Sequence, residues 1–157
     1  KRFLTPLLLG LALLAPLPAA AQNAEADNMR ILREKMMGDK KLIVAANMAL
    51  TDAESKAFWP IYDAYQAELQ KINEQLGTII ADYARMHNAG KLTDARARAL
   101  MDRYLGAEEA EVRLKRTFAK RLDKVLPGVK VTRYLQIENK IRAIVKYELA
   151  GEVPLAK

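Results

Sequence analysis

The sequence predicts an all-α protein of four helices, with the second and third forming a long central antiparallel hairpin. Three observations carry this prediction. Apolar residues between Phe58 and Met86 recur at alternating steps of four and three, which is the period of a helix seam. The tetrad Leu50-Thr51-Asp52-Ala53 returns as Leu92-Thr93-Asp94-Ala95, and each copy heads a long helical pattern. Glycine (7) and proline (6) are few among 157 residues, nothing alternates with strand period over a useful length, and the composition favours long helices.

The chain opens on Lys1 and Arg2, an apolar run from Phe3 to Leu14, then Pro16, Pro18 and Ala19-Ala20-Ala21. This reads as a secretory signal peptide lacking its initiator Met and cleaved after Ala21. The apolar run is shorter than the roughly 20 residues a spanning helix needs. The competing reading is an uncleaved anchor. The alanine-rich cleavage site points to a bacterial periplasm, with residues 22–157 as a single helical domain. There is no cysteine, so in an oxidising compartment packing alone must hold the fold.

The first helix is expected over Asn28–Ala49, with Met29, Leu32, Met36, Ile43, Val44 and Met48 on its apolar side and a weak point at Gly38-Asp39. The second begins at Thr51, whose hydroxyl suits an N-cap. Leu50 stands at the staple position and Asp52 in the first turn, and Glu54 completes a capping box. Its seam runs through Phe58, Tyr62, Tyr65, Leu69, Ile72, Leu76, Ile79, Tyr83 and Met86. Pro60 removes one backbone donor, which predicts a kink near Lys56–Trp59, and Trp59 is expected to anchor packing there.

Asn88–Lys91 is a short turn of the kind that makes antiparallel neighbours. The third helix is expected from the second cap, Leu92-Thr93, to about Leu126; Arg96 replaces the capping-box acid, so this cap is weaker. It carries two apolar rows. Leu100, Tyr104, Ala107, Leu114, Phe118, Leu122 and Val125 form one, with Glu111 its polar exception; Met101, Leu105, Val112, Ala119 and Leu126 form the other. Together they are wider than one partner helix requires, so the helix touches two neighbours or turns part of its stripe toward another chain. Pro127-Gly128 ends it, and the last helix is expected over Lys130–Ala150. A compact bundle and an open, bowed hairpin that dimerises both satisfy this pattern.

No catalytic constellation is present. The single histidine, His87, falls at a helix C-terminus, where its cationic form is favoured. Methionines such as Met36, Met37 and Met86 read as core or interface filler rather than soft metal ligands. Glu109 with Arg113 and Glu111 with Lys115 have the spacing of ordinary surface ion pairs. No phosphate loop or metal box occurs. The expectation is a non-enzyme with no cofactor and no metal site.

The formal net charge is +7, and it is uneven. Residues 22–88 carry 8 basic against 10 acidic groups, whereas residues 89–157 carry 16 against 9. A basic half points to an acidic partner, and export makes nucleic acid the least favoured one. Arg113, Arg116, Lys120 and Lys124 form a basic stripe beside the apolar row of Met101, Leu105 and Val112. Such a surface suits an unfolded or acidic polypeptide, attracted by charge and held by apolar area. The plainer reading is a solvated helix face.

The duplicated Leu-Thr-Asp-Ala tetrads on a small, basic, exported helical chain resemble the LTXXQ motif of Spy/CpxP-like periplasmic proteins. Phe58-Trp59-Pro60-Ile61-Tyr62-Asp63 and Tyr134-Leu135-Gln136-Ile137-Glu138-Asn139-Lys140 look like an uncharacterised branch of that group. The motif's final Gln is Glu54 in one copy and Arg96 in the other. The resemblance implies a cradle-shaped homodimer of long bent helices acting as an ATP-independent chaperone for unfolded or partly folded envelope proteins. The alternative it implies is an envelope-stress or metal-responsive regulator docking on the periplasmic domain of a membrane sensor. One histidine and no cysteine argue against the metal-responsive branch. Neither nucleic-acid binding nor membrane contact is expected.

Overall fold

The computed structural model describes residues 40–156. The expected signal segment, the first helix's Met29, Leu32 and Met36, and Gly38-Asp39 lie outside the described residues. Among the described residues every regular element is helical: α1 (Lys40–Met48), α2 (Asp52–Asn88), α3 (Asp94–Leu122) and α4 (Gly128–Glu152). None is long and apolar enough to cross a membrane.

The boundaries follow from local chemistry. α1 stops at Met48, one residue short of expectation, because Ala49 takes a left-handed φ of 47°. Glycine usually fills that position, so an alanine there hides the turn from a reading of the sequence. Thr51 caps α2: its Oγ1 accepts from the Glu54 N–H at 3.3 Å, and the Thr51 N–H donates to Glu54 Oε2 at 2.8 Å, a full capping box. Leu50 before it packs against the core.

α2 continues unbroken through Pro60, whose ring is exposed, for 37 residues, or roughly 55 Å at the α-helical rise. It ends in a Schellman motif: the Lys91 N–H donates to the Met86 carbonyl at 2.9 Å and the Gly90 N–H to the His87 carbonyl at 3.1 Å. Gly90, at φ 62°, occupies the left-handed position this motif requires.

Thr93 caps α3 by accepting from the Arg96 N–H at 3.4 Å. Arg96 cannot return the bond as an acid would; its guanidinium donates instead to the Lys91 carbonyl at 2.8 Å. α3 ends at Leu122, four residues before the expected Leu126, and Asp123–Leu126 make a turn that leaves Leu126 buried. α4 starts at Gly128, two residues earlier than expected, with Pro127 at the N-cap presenting its carbonyl to the N–H groups of Lys130 and Val131.

The core gathers at one end. Phe58, Tyr62, Tyr65 and Leu69 of α2 meet Val44 and Met48 of α1, Phe118 and Leu122 of α3, Leu126, and Val131 and Tyr134 of α4. The rings interlock edge to face, Phe58 with Tyr134 at 5.2 Å and Tyr65 with Phe118 at 5.4 Å between centroids. Trp59 packs edge to face at its rim against Phe58 and Tyr62 and donates Nε1–H to Ser55 Oγ at 2.8 Å. α2 and α3 share the most extensive contact, joined from Tyr65–Phe118 in the core to Asp82–Arg103 near the turn. α4 lies along both, tied to α2 by Lys130–Glu54 at its start and by Tyr83 Oη–H donating to the Pro154 carbonyl at 2.7 Å beyond its end.

Candidate functional site

The face of α3 turned away from its neighbours is the first candidate. Its register follows from the two apolar rows. Leu100, Ala107, Phe118 and Leu122 of the first row are buried, and they orient the helix. The second row is thereby rotated outward at its N-terminal end: Met101 is 55 %, Leu105 51 % and Val112 47 % exposed, while Ala119 and Leu126 reach the core. At 100° per residue, Met101, Val112, Leu105, Arg116 and Lys120 fall within an arc of about 100°. Leu105, Glu108, Glu109, Val112, Arg113 and Arg116 line an open depression of about 450 Å³ there.

The charges on this face differ in their partners. Arg113 is held by Glu109 at 3.3 Å, and Glu108 accepts from Lys146 Nζ at 2.9 Å. Arg116, Lys120 and Lys124 have no acidic partner among the described residues. Lys124 lies in the turn after α3 rather than on the helix, so the expected four-residue stripe is a helical run of three with Lys124 beyond it. The arrangement is an apolar strip flanked by positive charge that has no acidic partner among the described residues. Its two carboxylates, Glu109 and Glu108, pair with Arg113 and Lys146, and no group of three or more metal-ligating side chains occurs among the described residues.

A second constellation is buried, and sequence reasoning missed most of it. Lys40 Nζ donates to Glu138 Oε2 and to Gln66 Oε1, both at 2.8 Å; Gln66 Nε2 donates to Glu138 Oε1 at 2.9 Å and to Tyr134 Oη at 3.3 Å. Further along, Arg142 donates to Asn73 Oδ1 at 2.6 Å and to Glu111 Oε2, while Lys115 pairs with Glu111 Oε1 at 2.7 Å. Glu111, expected on an ordinary surface ion pair, is 4 % exposed and bridges α3 to α4. Burial alone would raise its pKa; Lys115 and Arg142 more than reverse this, and its carboxyl sits below the usual glutamate range.

Tyr65 stands between the two clusters. Its hydroxyl is buried without a hydrogen-bond partner among the described residues, and burial followed by Glu138 and Glu111 pushes its pKa far up. The available sequence signal was a polar residue at an apolar position: Glu111 within the first row of α3, and Glu138 between Tyr134 and Ile141 on α4.

His87 sits near the end of α2, half-buried beside the Tyr83 ring at 5.6 Å, and no group of three or more metal-ligating side chains occurs among the described residues. Searches against protein families, curated proteins and solved structures return no match to this chain.

Proposed function

We propose that this is an exported, ATP-independent chaperone-like binding protein that holds unfolded or acidic polypeptides on the outer face of α3. The observation that carries the reading is the pairing of exposed Met101, Leu105 and Val112 with Arg116 and Lys120, which lack acidic partners among the described residues. Long-range attraction brings an acidic chain to the helix, and apolar contact then retains it. No cofactor or turnover is involved.

The proposal extends to architecture and address. α2 and α3 act as an antiparallel hairpin, a reading supported by their contacts at Tyr65–Phe118 and Asp82–Arg103. Two copies associate into a bowed homodimer in the periplasm, in keeping with the Spy/CpxP-like tetrads Leu50–Ala53 and Leu92–Ala95. Light scattering tests the dimer.

The functional test is an aggregation assay. At equimolar ratio and without ATP, the protein should slow aggregation of an unfolded acidic client more than tenfold, and the double variant Arg116→Glu/Lys120→Glu should lose most of that protection. Absence of protection by the native protein would end the reading. Capture of a single stoichiometric sensor domain from envelope extract would replace it with the regulatory alternative.

A further inference from the structure

The attachment of α4 changes character along its length. Its first half is seated in apolar contact: Val131 and Tyr134 are buried, and Leu135 and Ile137 pack on the core. Beyond Glu138, Ile141 is the one buried apolar side chain; Val145 and Leu149 are half-buried, and Ile144 and Tyr147 are exposed, the latter at 83 %.

What spans this half is polar. Glu138 is held by Lys40 of α1 and Gln66 of α2, Arg142 by Glu111 of α3 and Asn73 of α2, Lys146 by Glu108 of α3, and the Pro154 carbonyl by Tyr83. On the facing helices, half-buried Leu76 and buried Ile79 fall between Asn73 and Tyr83 of α2, and buried Ala107 precedes Glu108 on α3.

Buried ion pairs recover little beyond their own desolvation, but removing one partner's charge leaves the other stranded. Such a seam closes firmly while every member is charged and opens when one side is neutralised. An apolar seam has no such dependence.

We propose that the distal half of α4, residues 142–154, is a charge-latched strap. Neutralising the seam carboxylates releases it as a unit and bares the apolar strip of Leu76, Ile79, Ala107 and Ile141, while the aromatic end stays folded. The groups that face the latch are the following. Glu111 meets Lys115 on its own helix, Arg142 from α4 and Tyr65 from α2, and Arg142 in turn donates to Asn73 of α2. Glu138 meets Lys40 from α1, Gln66, Tyr62 and Tyr65 from α2, and Tyr134 on its own helix. Glu108 meets Lys146. The low position of Glu111 sets the release below the ordinary glutamate range, in acid. The strap stands on the seam geometry and does not depend on the function proposed for the outer face of α3.

Hydrogen exchange on the full chain at pH 7 and pH 3.5, corrected for intrinsic rates, tests it. Amides of residues 142–152 should lose at least tenfold in protection at pH 3.5, those of 131–138 and 58–69 less than twofold, and an anilinonaphthalene sulfonate dye should gain fluorescence in parallel. The variant Glu111→Leu/Arg142→Leu replaces the central pair by apolar contact and should keep the strap closed at pH 3.5. Equal loosening of both halves of α4, no loosening at all, or a double variant that opens like the native chain would each overturn the proposal.

Discussion

The two ends of this helical unit are held by different physics. At one end Phe58, Tyr62, Tyr65, Phe118 and Tyr134 fill the space between four chain segments with interlocking rings. At the other, α4 meets α2 and α3 through Glu111, Arg142, Asn73, Glu108 and Lys146. Apolar packing is insensitive to pH and scales with buried area, whereas a buried ion pair such as Glu111–Arg142 contributes little net energy yet fails when one charge is lost. The aromatic end therefore sets global stability, and the ionic end sets which part moves first.

Mutation separates the two regimes. Tyr134→Ala, at the centre of the ring cluster, should cost about 3–5 kcal/mol in urea denaturation, with Trp59 as the natural fluorescent reporter. A loss under about 1 kcal/mol would mean the aromatic end is not the structural anchor. Arg142→Ala leaves Glu111 buried with Lys115 alone and should cost about 2–3 kcal/mol. Replacing both members with leucine should return stability to within about 1 kcal/mol of the native chain. If the double variant is as unstable as the single one, the seam is a stabilising device and not a latch.

Acid sharpens the contrast further. Because the Glu111 pKa is lowered on folding, its contribution is complete above the ordinary value of 4.5 and is lost as pH falls through its lower folded value. Denaturation midpoints should hold steady from pH 7 to about 5 and then decline, with a shallower decline in the Glu111→Leu/Arg142→Leu variant. The smallest effect is local to the aromatic end. Ala49→Gly relieves a left-handed alanine and should stabilise by up to about 1 kcal/mol; destabilisation would show that the Ala49 methyl contributes more than its backbone strain costs.

Much of the helical frame was legible because its signals are local. The threonine caps, the Phe58–Met86 seam and the Asn88–Lys91 turn each depend on residues within one or two helical turns. The outer face of α3 was half legible: two apolar rows announced a surplus, but not which row would be buried. Lys124 was misplaced because helix periodicity cannot see the turn at Asp123–Leu126 that seats Leu126 in the core. Glu111 was misread because its i,i+4 spacing to Lys115 is that of a surface pair; Arg142, 31 positions away, makes it a buried bridge.

The amino-acid order alone determined helix rather than strand, the points where α2 and α3 begin, and the crowding of positive charge into the second half of the chain. These depend on backbone propensity, capping chemistry and composition, all properties of neighbouring residues. Tertiary structure decided which row of α3 faces outward and that Lys40, Gln66 and Glu138 converge across three helices. Those outcomes depend on contacts between residues as far apart as 98 positions, and nothing local to any one residue encodes them.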